Sequence, residues 1–333
     1  MNKQRKILGG LLAAAVGDAM GAPTETRSTQ QIIEKFGGLV TSFLTPPEDV
    51  FAHGFPAGSV TDDFSLAYYT AQAIIDCGGK VNEKTANEAL LKWAETPFYA
   101  LAGPTTRAAV DRIRGQEITV PAFVMAVDNS KATNGSAMKI APVGLASNGD
   151  VDRAIRDAIV ICRPTHNNST SLSAACAVAA AVSAALADDA SLDSIIEAGL
   201  KGAKEGERHG VQMSTPSVYE RIRLAVRIGR EHEGDDLTVM KKMSEIIGTG
   251  LAAAEAVPSA FGFLAASGGD TMRAIIMGVN AGNDTDTVAT IAGAMAGTYE
   301  GYHDEKMLKT INEVNGFDLE KMAEELREVA ENA

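Results

Sequence analysis

The stretch Leu172-Ser-Ala-Ala-Cys-Ala-Val-Ala-Ala-Ala-Val-Ser-Ala-Ala-Leu-Ala187 decides how the chain is read. It is uncharged and rich in Ala and Ser, yet shorter than the ~20 strongly apolar residues that a bilayer crossing needs. It is therefore expected to be a buried helix of a packed protein and not a membrane span. Ala289 to Gly297 has the same small-residue character, which suits helices that approach one another closely. Outward from these two segments, apolar residues recur at three- and four-residue spacing: Leu66, Tyr69, Ala73 and Ile74; Ile155, Ile159 and Cys162; Leu319, Met322, Leu326 and Val329. Alternating strand-like runs are nearly absent. The best, Leu39 to Leu44, is closed off by Gly38 and the Pro46-Pro47 pair and is too short to build a sheet. The expectation is an all-α protein, a single compact multi-helix domain over residues 1–333.

Punctuation supports this reading. Turn signals fall at Cys77-Gly-Gly-Lys80, Gly103-Pro104, Ser147-Asn-Gly-Asp150, Glu233-Gly-Asp-Asp236, Ser267-Gly-Gly-Asp270 and Asn315-Gly316. Asp150, Ser191, Asp270 and Asp304 stand where helix N-caps belong. The Pro- and Gly-rich stretch from Leu44 to Ser59 is the longest without helical period, and loops of that kind carry function.

Composition narrows the function. In 333 residues, 43 Asp+Glu stand against 30 Lys+Arg, a net charge of −13. Such a surface repels polyphosphate backbones and anionic lipid, so neither nucleic acid nor membrane is expected as a partner. Three cysteines, Cys77, Cys162 and Cys176, lie in apolar stretches without metal-ligand spacing and read as reduced core thiols of a cytoplasmic protein. Lys3, Arg5 and Lys6 before the run Ile7 to Val16 outline a secretory signal. That reading is rejected, because Gly9, Gly10 and several Ala weaken the apolar run, which continues directly into Gly17-Asp18-Ala19-Met20-Gly21.

Two acidic clusters, Thr61-Asp62-Asp63 and Asn283-Asp284-Thr285-Asp286-Thr287, each open a helical pattern. As isolated features they read as N-caps, with carboxylates meeting orphan N–H groups and the positive end of a helix dipole. If the two clusters met in space, four carboxylates would converge. Each close like-charged pair would then cost about 4 kcal/mol at ~4 Å and an effective dielectric of ~20. A divalent cation relieves that cost, and ligands made only of oxygen select Mg²⁺, Mn²⁺ or Ca²⁺ over Zn²⁺. A centre of two ions would orient substrate hydroxyls and polarise a water.

The chain resembles the ADP-ribosylglycohydrolase family, relatives of the dinitrogenase-reductase-activating glycohydrolase, through five segments in order. These are Gly17-Asp-Ala-Met-Gly-Ala-Pro-Thr-Glu25, Thr61-Asp62-Asp63, Asn134-Gly-Ser-Ala-Met-Lys-Ile-Ala-Pro142, Thr165-His166, and Asn283-Asp-Thr-Asp-Thr287 followed by a small-residue helix. The resemblance implies an all-α fold and a binuclear Mg²⁺ or Mn²⁺ site at Thr61, Asp62, Asp63, Asp284, Asp286 and Thr287. It also implies cleavage of a glycosidic bond at C1 of a ribose, with Glu25, Asp63 and Asp284 as the carboxylates from which the proton-moving group comes, Glu25 first. Substrate contacts are implied at Asn134, Gly135, Ser136, Met138 and His166. Read without the family, Glu25 would be an exposed loop acid, Asn134-Gly135 a bare turn and His166 a structural hydrogen-bonder. Asp18, set among apolar residues, is expected to bond backbone groups near the site.

The first expected activity is removal of ADP-ribose from an ADP-ribosylated protein, arginine-linked adducts before others. The alternatives are a nucleosidase acting on a small ribosyl substrate and a non-catalytic, crystallin-like protein. Three positions depart from the family pattern: Phe64 where Thr or Ser is usual, Asn283 for Gly, and Lys139 for Arg. Phe64 is expected to replace a polar contact near the metals, and Lys139 to weaken a bidentate contact. Leu101 to Thr106 resembles a bacterial subgroup, some members of which act on small nucleosides.

Overall fold

The computed structural model describes residues 2–116 and 127–332. These residues form α1 (Lys3–Gly21), α2 (Thr29–Phe36), α3 (Asp62–Asp76), α4 (Glu83–Trp93), α5 (Pro104–Ile113), α6 (Ala141–Ala146), α7 (Val151–His166) and α8 (Ser169–Ala185). They continue as α9 (Leu192–Gly206), α10 (Val218–Glu231), α11 (Asp236–Lys242), α12 (Ala253–Ala266), α13 (Thr271–Asn280), α14 (Thr285–Glu300), α15 (Glu305–Asn315) and α16 (Leu319–Asn332). Among the described residues no strand forms, only three isolated bridges. The protein is all-α. The strand-like run at Leu39 is loop, and the Asn280 side chain accepts from Val40 N–H (2.8 Å) and donates to its carbonyl (2.9 Å), as a neighbouring strand would.

The expected caps are present. Asp150, Ser191, Asp270 and Asp304 accept the N–H of Arg153, Ser194, Arg273 and Met307. Each such cap stabilises its helix by about 1 kcal/mol.

The segment that outlines a signal sequence is the central helix. Leu11, Leu12 and Met20 of α1 are fully buried, each worth roughly 1.5–3 kcal/mol of apolar burial. Lys3–Thr24, not Leu172–Ala187, is the one described segment long and apolar enough to cross a membrane, and it is almost wholly enclosed by other helices. A helix apolar on every side is what a protein centre requires. α1 runs against α14 and also touches α13, α15 and α16. A Cβ on Gly17 would lie 2.4 Å from the Ala289 carbonyl oxygen, and one on Gly21 2.4 Å from Asp286 Cα. Only glycine permits this backbone approach, and it brings the end of α1 to the start of α14. α8 is buried along nearly its whole length between α7 and α9, and α12 packs on α10. Cys162 and Cys176 are buried thiols, whereas Cys77 is only half-buried, because it sits at the exposed C-terminal end of α3.

Candidate active site

The starts of α3 and α14 face one cavity of about 500 Å³. Its walls include Glu25, Thr61, Asp62, Asp63, Asp284, Asp286 and Thr287, together with Thr133, Asn134, Gly135, Met138 and His166. The volume suits a small-molecule ligand. The two acidic clusters, more than two hundred residues apart in sequence, do meet.

Asp18 of α1 positions the first cluster. Both of its carboxylate oxygens accept from Thr61 N–H (3.0 and 2.9 Å), and Oδ2 also accepts from Phe64 N–H (2.8 Å). Asp18 therefore takes the orphan donors of α3, as the sequence predicts for a buried acid. Burial pushes it up to about 7 even though these N–H groups pull the other way. Thr61 caps α3 by accepting from Asp63 N–H at 3.2 Å. Asp63, however, keeps a buried Oδ2 with no hydrogen-bond partner.

The second cluster is held by an unusual backbone. Asn283 has φ +67 and Thr26 φ +64, two non-glycine residues in the left-handed region, directly before Asp284 and directly after Glu25. They are joined: Thr26 N–H donates to the Asn283 carbonyl, and Asn283 N–H to the Arg27 carbonyl, both at 2.8 Å. The left-handed turn explains why Asn stands where Gly is usual, since Asn adopts it more readily than other side-chain-bearing residues. The pairing carries Glu25 to Asp284. Glu25, Asp284 and Asp286 offer carboxylate oxygens that lie within 4.8 Å of one another. Asp284 opens α14 but its side chain caps nothing. It accepts instead from Asn134 Nδ2 at 2.5 Å.

Electrostatics mark the cluster as strained without a cation. Burial, then the charges of Asp284 and Asp62, pushes Glu25 up to about 8. Burial, then Asp18, pushes Asp62 up to about 7. Asp63 and Asp286 are raised well above the usual carboxylate range by burial and by their neighbours' charges, and burial raises Asp284 as well. An unpartnered buried oxygen on Asp63 and a set of converging, all-oxygen donors fit a hard divalent cation. Glu25, expected as an acid/base or else as an exposed loop acid, is buried and forms a close carboxylate triple with Asp284 and Asp286.

Several expectations are corrected. Ser136 does not line the cavity; it is fully buried and its hydroxyl donates to the Ser171 carbonyl at 2.8 Å. The Phe64 ring turns away from the acids into the core, edge-on to Phe317 at 6.0 Å, because its position on α3 points inward. Lys139 does not line the cavity but lies behind its wall, donating to Thr165 Oγ1 at 3.0 Å. His166 does line the cavity, but both ring nitrogens meet hydroxyls, Nδ1 with Thr165 (2.8 Å) and Nε2 with Thr133 (2.9 Å). Gly135 packs on that imidazole, where a Cβ would approach to 3.0 Å.

Two other wall residues carry no sequence signature. Thr133 lies beside the Asn134 motif without a signature of its own, and Leu251 has none at all. Leu251 reaches the rim because Asn134 N–H donates to its carbonyl (2.9 Å) while Ala253 N–H donates to that of Ala132 (2.9 Å). Phe51, on the Pro- and Gly-rich loop, is 73% exposed, and Leu251 is 67% exposed. Both stand on the cavity rim. The Leu101 to Thr106 segment forms one wall, tied back by Arg107, which donates to the carbonyls of Ala102 (2.8 Å) and Ala100 (2.7 Å).

Comparison with known proteins agrees with the fold. The chain is 29% identical over 328 residues to the protein YegU of Escherichia coli (strain K12), covering 96% of each. It is 26% identical over 316 residues to ADP-ribosylhydrolase ARH3 of Gallus gallus, covering 88% of this chain and 84% of that one. A solved structure described as an ADP-ribosylglycohydrolase-related protein complex superimposes with a TM-score of 0.69 at 23% identity, over 98% of this chain and 99% of that one. The family model for ADP-ribosylglycohydrolase matches residues 1–333, and the chain belongs to the ADP-ribosylglycohydrolase family.

Proposed function

We propose that this protein is a divalent-metal-dependent glycohydrolase that cleaves the C1 glycosidic bond of an ADP-ribosylated acceptor and releases ADP-ribose, with arginine-linked adducts the first to test. The convergence of Glu25, Asp284 and Asp286 with the Thr61–Asp63 start on one cavity carries this reading. Thr61, Asp62, Asp63, Asp284, Asp286 and Thr287 would hold two Mg²⁺ or Mn²⁺ ions. Bound there, the ions supply Lewis acidity and lower the pKa of water. Asn134 fixes the orientation of Asp284 through its 2.5 Å hydrogen bond. Glu25, buried against Asp284 and Asp286, is the first carboxyl available to exchange a proton with the leaving group or the attacking water. Asp63 and Asp284 are the alternatives. Asn134, Gly135, Met138 and His166 form the wall against which a ribose or phosphate would lie. The packing of α1 on α14, near opposite ends of the chain, supports treating the whole as one domain.

One observation favours a second reading. Among the described residues, those lining the cavity include five carboxylates and neither Lys nor Arg, so a diphosphate would meet no cationic side chain there. A small ribonucleoside makes no such demand. Incubation of Mg²⁺- or Mn²⁺-loaded protein with an arginine-ADP-ribosylated protein and a panel of ribonucleosides, followed by mass spectrometry, separates the two. Metal-dependent ADP-ribose release is expected. Release of ribose or free base alone selects the second reading, and turnover of neither overturns both.

A further inference from the structure

Behind the cavity wall stands a lysine that this chemistry does not use, and burial holds its amine below the usual lysine range. Lys139 is 1% exposed and its Nζ donates to Thr165 Oγ1 at 3.0 Å. From there hydrogen bonds run without interruption to the cavity, Thr165 Oγ1 to His166 Nδ1 (2.8 Å) and His166 Nε2 to Thr133 Oγ1 (2.9 Å), and Thr133 lines the cavity. Burial keeps the imidazole neutral, so one ring nitrogen carries the proton and the other a lone pair. The chain can then run in either of two directions. The Thr165 hydroxyl can donate to Nδ1, which puts the ring proton on Nε2 and makes Thr133 an acceptor there. Alternatively it can donate to the Cys162 carbonyl at 3.3 Å, leaving the ring proton on Nδ1 and turning the Thr133 hydroxyl back toward Nε2.

We propose that Lys139 sets this direction, so that Thr133 offers the cavity a hydrogen-bond donor. In its ammonium form Lys139 has donors only, and it occupies a lone pair of Thr165. Its positive charge favours a lone pair, not a proton, on the ring nitrogen that faces it, and in a buried chain each bond polarises the next. With the proton on Nε2 donated to Thr133 Oγ1, the Thr133 proton is directed into the cavity. The wall there reads an acceptor atom of the substrate, such as a phosphate, ring or carbonyl oxygen. Lys139, Thr165 and His166 are positioning residues; Thr133 makes the contact. The inference rests on the cavity being the substrate site of the proposed function, but its direct readout needs no turnover.

The test is long-range ¹H–¹⁵N spectroscopy of the imidazole nitrogens in ¹⁵N-labelled protein, with His166→Gln identifying the His166 signals among the 5 histidines. The parent is expected to show a protonated Nε2 and an unprotonated Nδ1. Lys139→Arg, which keeps an obligate donor, is expected to match it, and Lys139→Met to shift the proton toward Nδ1. Lys139→Gln serves as the neutral variant if the Met protein does not fold. On whichever riboside is turned over, Lys139→Met and Thr133→Val are expected to raise KM about tenfold with kcat little changed, the loss of one hydrogen bond, and Lys139→Arg to restore it. A parent ring protonated at Nδ1, or a ring state unaltered in both neutral variants, overturns the inference. Absence of any turnover overturns the proposed function instead, and the ring state alone then decides.

Discussion

Asp150 and Asp284 occupy the same place in the sequence pattern, an acid at the start of a helix, and do opposite things. Asp150 is exposed and accepts the N–H of Arg153, as Asp270 accepts that of Arg273. Asp284 is buried, caps nothing, and turns toward Asn134, Glu25 and Asp286. At the surface, water screens the charge and the helix end is the best partner. In the cavity neither applies: the carboxylates face one another, and burial raises their affinity for protons. A helix start thus becomes a candidate metal centre through what its neighbours leave unsatisfied, not through its own residues.

The widest separation between the two kinds of acid is expected in catalysis. Asp284→Asn or Asp286→Asn should lower metal-dependent kcat on the order of 10³-fold, several kcal/mol of lost stabilisation, while Asp150→Asn keeps the parent rate in the same steady-state assay. Parent-like rates in both cavity variants would remove Asp284 and Asp286 from the catalytic machinery.

Stability gives the next contrast. A cation at about 100 times its Kd stabilises the folded state by roughly 2.7 kcal/mol, so thermal melts should show a higher Tm with Mg²⁺ for the parent and for Asp270→Asn, and no rise for Asp284→Asn. Asp18→Ala should cost about 2–3 kcal/mol in urea unfolding, because it strands the buried N–H groups of Thr61 and Phe64. A loss below half a kcal/mol would show that these donors find other partners.

Acid pH separates a neutral buried group from the acids around it. Burial pushes His166 down to about 3, against about 6.5 in an unfolded chain. Between these values the unfolded state binds a proton that the folded state does not, so this group's contribution falls as pH drops from 6.5 toward 3. The parent should lose stability relative to His166→Gln by up to ~1.4 kcal/mol per pH unit across that window. Parallel curves would mean that the ring is protonated in the folded protein. The smallest effect belongs to the surface: Asp150→Ala should cost about 1 kcal/mol by denaturation and leave metal binding untouched.

Much of the fold was legible because it depends on near neighbours. The periodic faces of α3, α7 and α16 and the caps at Asp150, Ser191, Asp270 and Asp304 all involve residues three or four apart. Side-chain direction was less legible. Phe64, Ser136 and Lys139 lie inside or beside site motifs yet point into the core or behind the wall, since a motif names positions and not the faces that packing buries. Thr133 and Leu251 carried no local signal, because their place on the cavity comes from segments paired across the fold.

By itself the sequence determined the helical class, the family and the identity of the acidic clusters. Each of these is written in composition, short spacings or the order of motifs along the chain. Only the tertiary structure decided that the clusters share a cavity, that Glu25 joins Asp284 and Asp286, and that the backbone groups Asp18 bonds are those at the start of α3. Those outcomes depend on α1 lying against α14 at backbone distance through Gly17 and Gly21, and on the left-handed pair Thr26 and Asn283. Contacts between residues hundreds of positions apart are set by how whole helices pack, and no local pattern encodes that.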